Sequence, residues 1–87
     1  MIEEFETDFE KEVENTIEKL LDNLNNKSRG YEFTLQELFN NNVKWNKLDL
    51  EIRKEVGARF LYTDDVSDGI ITPLSKNEKG QLVYRLN

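Results

Sequence analysis

Tyr31-Glu32-Phe33-Thr34-Leu35-Gln36-Glu37-Leu38-Phe39 places a strand end, a helix start and several core side chains next to one another. Tyr31-Glu32-Phe33 predicts a very short strand. Thr34 and Glu37 have the spacing of a capping box, in which the threonine hydroxyl accepts from the Glu37 amide and the glutamate carboxylate accepts from the Thr34 amide. A short helix from Leu35 to about Asn40 then buries Leu35, Leu38 and Phe39, and Asn40-Asn41-Asn42 terminates it. A strand that runs directly into a capped helix calls for an α+β fold. The flanking sequence supplies the other elements.

Upstream, Ile2, Phe5, Phe9, Val13, Ile17, Leu20 and Leu24 recur at gaps of three and four, the period of one helix face. Leu21 widens that stripe near its end. Their spacing averages about 3.7 residues, which departs from the 3.5 of a left-handed coiled coil and disfavours a regular two-stranded zipper. Asn23, Asn25 and Asn26 stop the pattern, and Ser28-Arg29-Gly30 reads as a loop. Acidic residues crowd the first turns, where they complement the positive end of the helix dipole.

Downstream, Trp45 and Leu48 lead to Asp49, the expected N-cap of a longer helix with Ile52, Val56 and Phe60 on one stripe. Asp64, Asp65 and Asp68 oppose the negative end of a helix dipole, so this helix should end near Tyr62–Val66, with Gly69 turning the chain. Ile70–Leu74 and Gln81–Leu86 are β-rich runs around a polar tip, Ser75–Gly80. Leu82, Tyr84 and Leu86 fall on one face of the second run. Pro73 cannot donate to a ladder, which places the first run at an edge or interrupts it. Trp45 is expected in the core, and Tyr62 and Tyr84 at the surface.

The 87 residues suffice for one domain, and the chain contains neither cysteine nor histidine. That removes disulfides, thiolate ligands, the commonest acid–base group and the commonest metal ligand. Apolar runs are at most three residues long, so neither a membrane span nor a signal-peptide core fits, and a cytoplasmic protein is expected. Phosphate-cradling glycine motifs are absent. Asp64-Asp65-Val66-Ser67-Asp68 fits D-D-x-x-D, but no second acidic motif accompanies it, and a calcium loop started at Asp64 fails at Val66 and Ser75. No catalytic, cofactor or metal residues are predicted, and the chain reads as a non-enzyme.

The formal net charge of −6 is unevenly spread. Residues 1–26, the acidic amphipathic helix, carry nine acids against Lys11 and Lys19, or −7; residues 27–87, the body, carry nine acids against ten bases, or +1. Candidate protein-contact residues are therefore Phe5, Glu6, Phe9, Glu10, Glu14 and Glu18. The two phenylalanines can pack on the protein's own body or on another chain. Candidate nucleic-acid contacts are Arg53, Lys54 and Arg59, joined by Lys76 and Lys79 at the hairpin tip. The plainest alternative for all of these charges is a solvated surface.

A short helix, a longer helix and a hairpin with a basic tip follow the order of the second half of a winged helix-turn-helix. Phe33-Thr34-Leu35-Gln36-Glu37-Leu38-Phe39, then Trp45, Leu48, Arg53, Gly57, Phe60 and the hairpin, resemble a family of small uncharacterised proteins of Firmicute bacteria and their phages and plasmids. Its pattern is F-T-L-x-x-L-F, W-x-x-L, R and G-x-x-F. The resemblance covers residues 33–86, leaves the first helix outside, and implies a winged-helix-like body without an established activity. Two functions are expected. One is a mobile-element interaction protein with an acidic contact surface, for example an anti-CRISPR that occupies a basic groove. The other is a winged-helix DNA-binding regulator, a homodimer through the N-terminal helix.

Overall fold

The computed structural model describes residues 8–87; Ile2, Phe5 and Glu6 lie outside the described residues. The fold is α+β. Among the described residues five helices, α1 (Asp8–Leu24), α2 (Leu35–Phe39), α3 (Asn42–Lys47), α4 (Leu50–Phe60) and α5 (Asp64–Ser67), combine with strands β1 (Glu32–Phe33), β2 (Ile71–Lys76) and β3 (Leu82–Leu86). The strands form an antiparallel sheet in the order β1-β3-β2. Phe33 and Tyr84 stand opposite each other in the register.

Local chemistry fixes the centre of the chain. The Thr34 hydroxyl accepts from the Glu37 amide at 3.2 Å, and the Thr34 amide donates to the Glu37 carboxylate at 2.9 Å. The box starts α2 where the chain leaves β1, and α2 buries Leu35, Leu38 and Phe39. Because Thr34 is itself buried, Thr34→Ala is expected to cost about 1–2 kcal/mol, measured by urea denaturation.

The three asparagines after α2 do more than end it. Asn40 takes the left-handed conformation of a C-cap, at φ 60°. Asn41 then caps α3, its side chain accepting from the Lys44 amide at 3.1 Å. Asn42–Lys47, where the sequence reading places no element, therefore forms a helix of its own, which seats Trp45 against Phe39. Asp49 is the N-cap of α4, as expected, but its side chain makes no capping bond. Beyond Phe60 the acids start another helical turn: Asp64 and Asp65 open α5, at the dipole end that favours them.

Val13, Leu20 and Leu24 of α1 are buried with Phe33, Leu38, Ile52, Val56, Phe60, Ile71 and Tyr84 in one core. Asn23 secures the same helix to α2, its Nδ2 donating to the Leu38 carbonyl at 2.9 Å. Tyr84 corrects the sequence reading: only 1% of it is exposed. It stacks on Phe33 at 5.6 Å and makes a T-shaped contact with Phe60 at 5.1 Å. Strand alternation carries it inward with Leu82 and Leu86, which also pack on the core. Tyr62 is 85% exposed, as expected. β2 lies at the sheet edge, and its register with β3 shifts between Pro73 and Lys76, where proline cannot donate.

Candidate functional site

Helix α4 sorts the basic residues into two groups. Ile52, Val56 and Phe60 face the core. Arg59 and Glu55 lie on one flank of that stripe. The opposite flank carries Leu50, Arg53, Gly57 and Leu61, with Lys54 beside them.

On the first flank, Arg59 is engaged within the chain. Its Nη1 and Nη2 donate to the two carboxylate oxygens of Glu10 at 2.9 and 2.8 Å, and its Nε donates to Glu55 at 2.6 Å. The bidentate pair crosses from α4 to α1, joining a candidate nucleic-acid residue to a candidate protein-contact residue. The hydrogen bond from Arg59 holds the Glu10 carboxyl below its ordinary range, and the two carboxylates hold the Arg59 guanidinium above its own.

The sign of the pH effect follows. A carboxylate whose folded pKa is lowered contributes stability above its ordinary value of 4.5, and that contribution is lost as the pH falls through its folded pKa. Acidification in that range is expected to loosen the first turn of α1 before the core melts. Hydrogen exchange at α1 amides should show it, and Arg59→Met should produce the same loosening at neutral pH.

The second flank opens onto a groove of about 550 Å³ between α4 and the hairpin. Leu50, Leu61 and Leu82 give it apolar walls; Arg53, Lys54 and Lys76 bring three cations, and no carboxylate among the described residues lines it. Arg53 is half-buried, and its Nε is buried without a hydrogen-bond partner. Lys54 lies 3.7 Å from Glu51 in an exposed pair, which is a weak restraint. Tyr84 forms part of the floor, and burial pushes its phenol up to about 12. Gly57 lies in the helix wall, and a Cβ added there would meet nothing within 4 Å.

Lys79 is not in this groove. It lines an adjacent polar depression with Gln36, Glu37, Asn42 and Glu78. Gln81 links the two regions by donating from Nε2 to Gln36 Oε1 at 2.9 Å. The five basic candidates therefore do not form one strip.

The acidic candidates sit on α1. Glu14 and Glu18 are exposed, together with Glu12 and Asp22. Phe9 belongs to the same helical stripe as Val13, which is fully buried, yet it is 38% exposed. Among the described residues no cluster of three or more potential ligands could hold a metal ion, and no helix is long and apolar enough to cross a membrane.

A family model described as a domain of unknown function (DUF1413) matches residues 18–85. The chain belongs to this family. No curated protein and no solved structure matches it significantly. The DUF1413 span begins inside α1, well before Phe33, so it takes in Leu20 and Leu24 as well as the capping box, α4 and most of the hairpin. The first helix thus lies partly within the family's domain, which corrects the narrower extent read from the motif. All five basic candidates fall inside the DUF1413 match; Phe9, Glu10 and Glu14 fall before it.

Proposed function

We propose that the protein is a non-enzymatic interaction module whose contact surface is the acidic outward face of α1. The observation that carries this reading is the way α1 is held. Val13, Leu20 and Leu24 are sunk in the core and Glu10 is tied to Arg59, so Glu14, Glu18 and Asp22 form a surface fixed in space. A fixed row of carboxylates suits a partner with a basic groove and speeds its encounter electrostatically. The sharper form is a mobile-element inhibitor that occupies the groove of a nucleic-acid-binding defence protein.

The test compares wild type with a Glu14→Lys/Glu18→Lys variant in affinity capture from host lysate, with the captured protein then titrated against purified wild type. A specific partner lost in the variant supports the reading. Capture unaffected by the charge reversal sinks it.

One observation favours a second reading. The helices precede a β2–β3 hairpin, the sheet runs β1-β3-β2, and Arg53, Lys54 and Lys76 gather beside α4. That order is what a winged-helix DNA-binding regulator would have. Against it, Arg59 is occupied, and Glu51, Glu55 and Glu78 share α4 and the hairpin tip with the bases. Fluorescence anisotropy with a labelled DNA duplex at low ionic strength decides between the two. Binding that weakens steeply with salt would favour the regulator.

A further inference from the structure

The groove between α4 and the hairpin combines features that no contact among the described residues explains. Glycine inside a helix is unfavourable because it adds conformational freedom to the unfolded chain and packs nothing. Positive φ would justify it, but the glycines with positive φ are Gly30, Gly69 and Gly80, not Gly57. Close packing would also justify it, but the space above Gly57 is open. A glycine there exposes the helix backbone to a neighbour seated in the groove.

A partly exposed apolar surface lies at the start of α1 among the described residues. Phe9 continues the stripe of Val13 and Leu20 but lies outside the core cluster and stays 38% exposed. Glu12, three residues on, lies beside Phe9 on the helix surface, and Asp8 lies beside Glu12 in turn. Lys11 projects from the opposite side. The end of α1 therefore presents an aromatic knob edged by carboxylates. The groove presents apolar walls edged by cations.

We propose that this groove receives the Phe9-bearing end of α1 from a second copy of the chain. Phe9 inserts between Leu50, Leu61 and Leu82 over Gly57, and Asp8 and Glu12 meet Arg53 and Lys76. Each copy carries one knob and one groove, so the contact can be made reciprocally about a two-fold axis and closes as a dimer. The net charge of −6 on each copy opposes association at long range. Physiological salt screens charges farther apart than about 8 Å, while ion pairs at contact inside an apolar groove are screened much less. Nucleic acid fits this groove less well. Its aromatic residues, Trp45 and Tyr84, are buried and offer no face for base stacking. The contact uses the end of α1 and the far flank of α4, and so goes beyond the outward face proposed above for a different partner.

Sedimentation equilibrium on the full chain at physiological salt, from micromolar to millimolar concentration, tests this. Wild type should show a reversible monomer–dimer equilibrium. Gly57→Leu, which fills the groove from its helix wall, and Phe9→Asp, which removes the knob, should each weaken it at least tenfold while leaving the circular dichroism spectrum folded. Mixing the two variants should restore part of the association, because the groove of the Phe9→Asp chain is intact and so is the knob of the Gly57→Leu chain. A monomer at every concentration overturns the proposal. So does a dimer indifferent to both substitutions, or a single-stranded oligonucleotide that binds a monomeric wild type and is lost in Gly57→Leu.

Discussion

A chain reduced to residues 27–87 is expected to be unfolded. The charge distribution invites its treatment as a separate body, since all of the net negative charge resides upstream. Packing gives the opposite result. Val13, Leu20 and Leu24 are almost entirely buried, and Ile17 and Leu21 pack against the same core. Burying an aliphatic side chain of this size contributes about 1.5–3 kcal/mol, so three of them amount to roughly 5–9 kcal/mol. A domain of this length has a total stability of about 4–13 kcal/mol at the usual 0.05–0.15 per residue. Ordering α1 has its own entropic cost, which reduces the net loss, but removal would also bare the surfaces of α2 and α4 that it covers. Far-UV circular dichroism and amide chemical-shift dispersion of the truncated chain should show no cooperative thermal transition. A folded 27–87 fragment would mean that α1 is an accessory to the core and not part of it.

The sequence was most informative where a structural signal is complete within a few residues. The Thr34–Glu37 box, the alternation of Leu82, Tyr84 and Leu86, and the consequence of Pro73 all need only near neighbours, and the structure contains each of them. Three consecutive asparagines were harder, because the same residue type ends one helix at Asn40 and starts the next at Asn41. Tyr84 has a polar tip as well as an apolar ring, and only the arrival of Phe33 and Phe60 decides which environment it occupies.

The basic candidates are split for a reason that spacing could have exposed. Arg53 and Arg59 are six residues apart, about two-thirds of a turn beyond one full turn, which puts them on opposite flanks of the Ile52–Val56–Phe60 stripe. Their different fates follow: Arg53 faces the groove, Arg59 faces α1. That Glu10 would be the residue to engage Arg59 is a tertiary fact, set by how α1 crosses α4, and no local pattern carries it. The groove needed three separate stretches of chain to come together, and Gly57 acquires meaning only once its surroundings are known to be open.

Phe60→Ala is expected to destabilise the fold by about 3–5 kcal/mol. The ring is fully buried and forms a T-shaped pair with Tyr84, the planes at 72°. Truncation therefore leaves a cavity between α4 and the sheet and removes an edge-to-face contact. It should lower the melting temperature by well over 10 °C, since each kcal/mol shifts a domain of this size by about 4–8 °C. Three residues away on the same helix, Gly57→Ala should act in the opposite direction. Its Cβ meets nothing, and helix propensity alone favours alanine by about 0.5–1 kcal/mol. The two substitutions form a paired test of how α4 divides its faces, with thermal denaturation as the readout for both. If Phe60→Ala were tolerated within 1 kcal/mol, roughly a surface effect, the helix would not be presenting this side to the core. If Gly57→Ala were destabilising, the glycine would be serving the fold of a single chain. Opposite signs would leave the glycine as a feature that costs one copy stability and whose benefit lies outside it.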